Sequence, residues 1–161
     1  MMKTEELAAA LLDDLKQKNR KLATAESCTG GSIGQVLTAI PGSSAAYLGG
    51  VISYANEIKE NVLKVPGEIL RQYGAVSEQT AAAMVRGVKE LFCADAAVSV
   101  TGIAGPASDD TKKPVGLVYI GVAAGETVTV KENHFSGTRE EIRQQSVQTA
   151  LTLLLEALGV Q

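Results

Sequence analysis

The sequence predicts an α/β fold, a single three-layer α/β/α domain around a central mixed sheet, on three observations. Short apolar strand segments alternate with helical patterns from the N-terminus to Thr101, the signature of strands covered by helices. Two later strand segments are separated only by Ala124-Gly125-Glu126, short enough for an antiparallel hairpin, so the sheet must be mixed. The 161 residues, 45% hydrophobic and 20% charged, suit one core. A chain of this length buries roughly 70% of the surface that its unfolded form exposes. No internal repeat or linker divides residues 1–161, which are taken as one domain.

Each element has its own signal. Thr4 is placed as the N-cap of a first helix, with Glu5 and Glu6 in the first turn and Leu7, Leu11 and Leu15 at four-residue spacing. Lys18-Asn19-Arg20 breaks that pattern. Lys21 to Ala25 is then a short strand running into Glu26-Ser27-Cys28-Thr29-Gly30-Gly31. Ser32 to Thr38 forms a helix, Pro41-Gly42-Ser43-Ser44 a turn, and Gly49 to Tyr54 a second strand. Asn56 is positioned to cap the segment carrying Lys59. Pro66 and Gly74 enclose a short helix through Ile69 and Leu70.

Ser77 opens a longer helix, Glu78 to Phe92, whose Ala81, Val85, Val88 and Phe92 share one face. Ala96 to Thr101 follows as a buried strand. Gly102-Ile103-Ala104-Gly105-Pro106 with Ala107 to Pro114 is the longest aperiodic stretch and the lid candidate, because long ordered loops in compact domains are usually functional. Val115 to Ala123 and Thr127 to Phe135 are the hairpin strands. Thr138 and Glu141 make a Thr-x-x-Glu capping box before a last helix with Ile142, Val147, Leu151, Leu154 and Leu158 inward.

Composition excludes several classes of function. A net charge of −3 and a pI near 5.2 give no basic footprint for nucleic acid. No apolar run approaches the roughly 20 residues that span a bilayer, and no basic leader precedes an apolar stretch, so no membrane is expected and the cytoplasm is the default address. Cys28 and Cys93, the only cysteines, lack zinc-site spacing and are taken as reduced thiols; no metal and no cofactor is expected.

The chemistry concentrates at the strand-turn-helix junction from Ala25 to Ser32. Backbone N–H groups at a helix N-terminus can hold an anion there, and Gly30 and Gly31 would permit close approach, although a plain tight turn is an equal reading. Ser27, Thr29 and Ser32 crowd the junction with hydroxyls. The single histidine, His134, sits on a hairpin strand, so a Ser-His-Asp triad is not expected and a serine nucleophile needs another base. A lysine can serve when burial lowers its pKa, and Lys59, just beyond Tyr54, is the candidate. The plain alternatives are a solvated lysine and a half-buried core tyrosine. Cys28 is a rival nucleophile, more simply a small packed side chain. Asp109-Asp110 beside Lys112-Lys113 is taken as solvated loop. Arg139 and Arg143 could bind phosphate, or pair with Glu140 or Glu141.

Taken together, Ala-Glu-Ser-Cys-Thr-Gly-Gly at 25–31, Ser-Tyr-Ala-Asn-Glu at 53–57 with Lys59, and Thr-Gly-Ile-Ala-Gly-Pro at 101–106 resemble the CinA C-terminal domain family. Val115-Gly116-Leu117-Val118-Tyr119 and the Phe135-x-Gly137-x-Arg139 segment extend the resemblance over nearly the whole chain. It implies nicotinamide-nucleotide amidase activity, converting nicotinamide mononucleotide and water into nicotinate mononucleotide and ammonia in pyridine nucleotide recycling. It also implies roles: Ser27, Tyr54 and Lys59 catalytic, and Thr29, Gly30, Gly31, Thr101 and Gly102 around the ligand. An arginine holds phosphate, with Arg139 preferred over Arg143.

The expected mechanism has Ser27 attack the carboxamide carbon after giving its proton to Lys59, with Tyr54 relaying that proton or orienting the lysine. Backbone N–H groups of the first loop would stabilise the oxyanion. Longer family members carry a molybdopterin-binding-like domain that these residues do not include, so its metal-dependent ADP-ribose hydrolysis is not expected. A homodimer is expected. Two alternatives stand beside the enzyme: a silent pyridine-nucleotide sensor of the same fold, and an interaction protein for DNA uptake or repair, which the acidic balance opposes.

Overall fold

The computed structural model describes residues 2–108 and 111–160, so the Asp109-Asp110 pair lies outside the described residues. The elements run α1 (Thr4–Gln17), β1 (Leu22–Glu26), α2 (Ser32–Thr38), a 3₁₀ turn (Ser43–Ala45), β2 (Tyr47–Ile52), α3 (Asn56–Asn61), α4 (Gly67–Tyr73) and α5 (Glu78–Phe92). β3 (Ala96–Gly102), β4 (Leu117–Ala124), β5 (Thr127–His134) and α6 (Arg139–Ala157) complete the chain. The sheet order is β2-β1-β3-β4-β5. β1 pairs in parallel with β2 and β3, and the β3-β4-β5 pairings are antiparallel, which is the mixed sheet expected from the short hairpin connection.

Period-two alternation distributes the core between two faces. Leu22 of β1, Val98 and Val100 of β3, and Ile120 and Val122 of β4 pack beneath α1, α2 and α6, against Leu11, Leu15, Ile33, Leu151 and Leu154. Ala23, Ala25, Ala97 and Ala123 turn the other way, under Met84, Val85 and Val88 of α5. The small residues on this second face let α5 lie close to the sheet. At Gly121 an added Cβ would meet Ser99 Oγ at 2.6 Å and the Ala81 carbonyl oxygen at 2.9 Å.

Several boundaries move by one to two residues, as helix and strand ends commonly do. The N-cap of α1 is Lys3, whose N–H donates to Glu6 Oε2 at 3.0 Å, and Thr4 is already helical. Ala55 caps α3, with Asn56 as its first residue. Pro66 is the N-cap of α4 and Gly74 its C-cap. Ser77 and Thr138 cap α5 and α6 by accepting from Thr80 N–H and Glu141 N–H. β2 ends at Ile52, so Ser53 and Tyr54 lie beyond it, and β4 starts at Leu117 because Gly116, at φ +93°, turns the chain into the strand. His134 is exposed on β5 beside Glu132. Among the described residues no helix is long and apolar enough to cross a membrane.

Candidate active site

Three parallel strands end side by side. Ser27 N–H donates to the Val100 carbonyl at 3.0 Å and Ser53 N–H to the Glu26 carbonyl at 2.8 Å, so the pairing continues one residue past β1 and β2. Ser27, Ser53 and Thr101 therefore line up at the carboxyl edge of the sheet. β1 is flanked by strands later in sequence on both sides, the place where open α/β sheets form ligand crevices. A cleft of about 260 Å³ opens there, lined by Ser27, Tyr54, Lys59, Thr101, Gly102 and Arg139 among others.

Lys59 is the largest fully buried side chain, 1% exposed. Its Nζ lies 3.1 Å from Ser27 Oγ, 2.7 Å from the Ser53 carbonyl and 3.2 Å from the Tyr54 carbonyl. Burial disfavours the ammonium and pulls the Lys59 pKa down from 10.5 to about 8, with the Cys28 thiol acting in the opposite direction. The three contacts suit an ammonium with three N–H donors. In the neutral amine the two remaining hydrogens have two carbonyls to bind, since a carbonyl can only accept. The nitrogen lone pair then faces the Ser27 hydroxyl, the arrangement a general base requires.

Cys28 is a packed side chain: it is 6% exposed, and burial pushes its thiol up to about 11, so the thiolate is scarce near neutrality. Tyr54 is 64% exposed and borders the cleft, and its carbonyl accepts from Lys59 Nζ. Thr101 Oγ1 donates to the Ala75 carbonyl at 2.7 Å, which leaves its oxygen free to accept from a ligand hydroxyl. Arg139 Nη1 donates to the Gly105 carbonyl at 2.7 Å and, with Lys59, supplies the cationic side chains of the cleft. Ala104, Gly105, Ala107 and Ser108 bring the aperiodic loop to the cleft wall. Lys113 ties that loop down by donating to the carbonyls of Tyr73 and Val76.

The other residues singled out in the sequence lie elsewhere. Thr29 is fully buried, and Thr29, Gly30, Gly31 and Arg143 do not line this cleft. The helix N-terminus considered for anion binding holds the protein's own carboxylate. Glu26 Oε1 accepts from Thr29 Oγ1 at 2.7 Å and Ile33 N–H at 2.9 Å, and Oε2 accepts from Gly34 N–H at 3.1 Å. The two glycines serve the turn, at φ +59° and +100°. Strand parity carries the missed signal: Glu26 is two pairs beyond Leu22 on the same face of β1, directly under α2. Ala75 and Val76 enter the cleft from the α4–α5 connection, which carries no sequence signal, whereas Ser108 belongs to the aperiodic stretch. Among the described residues, no group of three or more His, Cys, Asp or Glu side chains could hold a metal ion.

A buried lysine aimed at a serine, at the carboxyl edge of a mixed sheet in an α/β/α domain, has the geometry of a Ser-Lys pair. The chain belongs to the CinA C-terminal domain family, whose pattern matches residues 4–158. It is 46% identical over 152 residues to a CinA-like protein of Synechococcus sp. strain RCC307, covering 93% of this chain and 36% of that one. It is 49% identical over 158 residues to a CinA-like protein of Thermosynechococcus vestitus, covering 96% and 38%. The chain thus spans little more than a third of these relatives. The crystal structure of a CinA superfamily protein from Klebsiella pneumoniae 700603 superposes with a TM-score of 0.95 at 34% identity, covering 98% of this chain and 99% of that one. The competence/damage inducible protein CihA of Agrobacterium tumefaciens superposes with a TM-score of 0.92 at 43% identity, covering 97% and 95%.

Proposed function

We propose that this chain is a nicotinamide-nucleotide amidase that hydrolyses the carboxamide of nicotinamide mononucleotide through Ser27. The observation that carries the reading is Lys59: buried, lowered in pKa to about 8, and 3.1 Å from the Ser27 hydroxyl. The choice of substrate comes from the family resemblance of the three motifs, and the cleft is compatible with it. Arg139 offers its remaining donors to a phosphate, and Thr101 Oγ1 can accept from a ribose hydroxyl.

The neutral Lys59 amine takes the Ser27 proton as Oγ bonds to the carboxamide carbon. Backbone N–H groups of the turn that follows the nucleophile stabilise the developing oxyanion in this reading. Lys59 then returns the proton to the departing nitrogen, the C–N bond breaks, and ammonia leaves an ester on Ser27. Water, deprotonated by the same amine, cleaves the ester and frees nicotinate mononucleotide. Of the two roles considered for Tyr54, orienting the lysine has a contact in the structure, through the Tyr54 carbonyl.

Acid quenching during turnover, followed by peptide mass spectrometry, tests the reading. The nucleotide acyl group is expected on the peptide bearing Ser27. Turnover with no adduct in wild type, and undiminished turnover in Ser27→Ala, would overturn the nucleophile assignment.

A further inference from the structure

We infer that Arg143 is a positioning residue for the nucleophile: it holds the backbone of the turn that carries Ser27 and does not bind substrate. The inference rests on the Ser27 reading above. Arg143 Nε donates to the Cys28 carbonyl and Nη2 to the Thr29 carbonyl, both at 3.1 Å, so one guanidinium grips the two residues immediately after the nucleophile. The planar fork of a guanidinium presents two N–H donors at a fixed spacing to these two carbonyls, a geometry that a flexible ammonium does not hold rigidly. Its side chain lines a separate groove of about 580 Å³ with Ser32, Gln35 and Gln144, away from the cleft that holds Ser27 and Lys59.

The same turn is also held by Glu26, which is 2% exposed and accepts from the Thr29 hydroxyl and two N–H groups of α2. Thr29 is therefore gripped twice, by Glu26 at its side chain and by Arg143 at its carbonyl. Gly30 completes the fit, since an added Cβ would approach Arg143 Nη2 at 3.3 Å. Arg139 and Arg143, one helical turn apart at the start of α6, divide their work. Arg139 binds the Gly105 carbonyl at the cleft wall, and Arg143 binds the turn behind the nucleophile. The Thr138–Glu141 capping box fixes the helix end from which both project. Displacing Ser27 Oγ slightly from Lys59 would slow attack on any acyl substrate, whatever phosphate it carries.

Arg143→Gln and Arg143→Lys are to be compared with wild type in two assays. One is steady-state turnover of nicotinamide mononucleotide; the other is acetylation of Ser27 by p-nitrophenyl acetate, a small substrate without phosphate. In the latter, Oγ bonds to the acetyl carbon, p-nitrophenolate departs, and the serine proton passes to Lys59. The expected result is a fall in both kcat and acetylation rate on the order of 10- to 100-fold, with KM within about twofold. The lysine variant, which keeps the charge and the stem, should fold and still be slow in both assays. A KM raised about tenfold with acetylation unchanged would make Arg143 a phosphate ligand and overturn the inference, as would unchanged rates in both assays. Failure of wild type to turn over the nucleotide would strike the substrate reading alone, because the acetylation comparison still decides the role of Arg143.

Discussion

At the residue scale, the proposed chemistry depends on one buried amine. Lys59 must be neutral to accept the Ser27 proton, so kcat/KM is predicted to climb about tenfold per pH unit below its pKa and level off above about pH 8. A profile flat from pH 6 to 9 would remove the lysine from the base role. The same burial has a thermodynamic consequence. In the unfolded chain the amine titrates near 10.5, so between about pH 8 and 10.5 the unfolded state holds more protons than the folded one, and stability rises with pH. Lys59→Met is predicted to abolish turnover, to fold, and to lack this rise in thermal melts across that window. Tyr54→Phe is predicted to keep turnover within about threefold, because a lost proton relay would cost on the order of 100-fold and the orienting contact is a carbonyl. Ser27, Tyr54 and Lys59 were legible as a group from their motifs. The inward path of Lys59 was not, since a single lysine on a short helix is ordinarily solvated. The contacts of Arg143 and Glu26 were hidden for another reason: each engages backbone atoms of a turn, and residue types do not show which carbonyls or N–H groups are unsatisfied.

At the scale of elements, apolar spacing and capping residues located every helix and strand, and the errors fell at the ends. β2 and β4 were placed about two residues too far along and too early, respectively, because Ser53-Tyr54 and Val115-Gly116 carry strand-like residues on chain that has already left the ladder. The aperiodic loop stands out in the sequence as a lid candidate by its length, and Ala104, Gly105, Ala107 and Ser108 line the cleft. Its anchorage does not stand out, because Lys113 reaches the carbonyl of Tyr73 at the end of α4 and that of Val76 in the α4–α5 connection, some 40 residues earlier. Lys113→Ala is predicted to raise KM roughly three- to tenfold with little change in melting temperature, as expected of a loop that covers a bound ligand. An unchanged KM would show that the loop keeps its place without this tether. On the opposite face, Gly121→Val is predicted to destabilise the fold by about 1–3 kcal/mol in denaturant melts, since α5 leaves no room for a side chain over β4.

At the scale of the whole molecule, the cleft opens at the carboxyl edge of the parallel half of the sheet. β1, β2 and β3 deliver Ser27, Ser53 and Thr101 to one edge, and α6, packed on α1 across the sheet from α5, returns two arginines to that edge. The fold class followed from the alternation of strand and helix patterns with one short hairpin, and the family followed from motifs that the fold brings together in space. The central claim is the amide hydrolysis itself. Its most direct test is the release of ammonia and nicotinate mononucleotide from nicotinamide mononucleotide by chelator-treated protein, with Ser27→Ala in parallel. The account predicts equal amounts of both products from the wild-type chain and none from the variant; a folded wild-type protein that binds the nucleotide but releases neither product would contradict it.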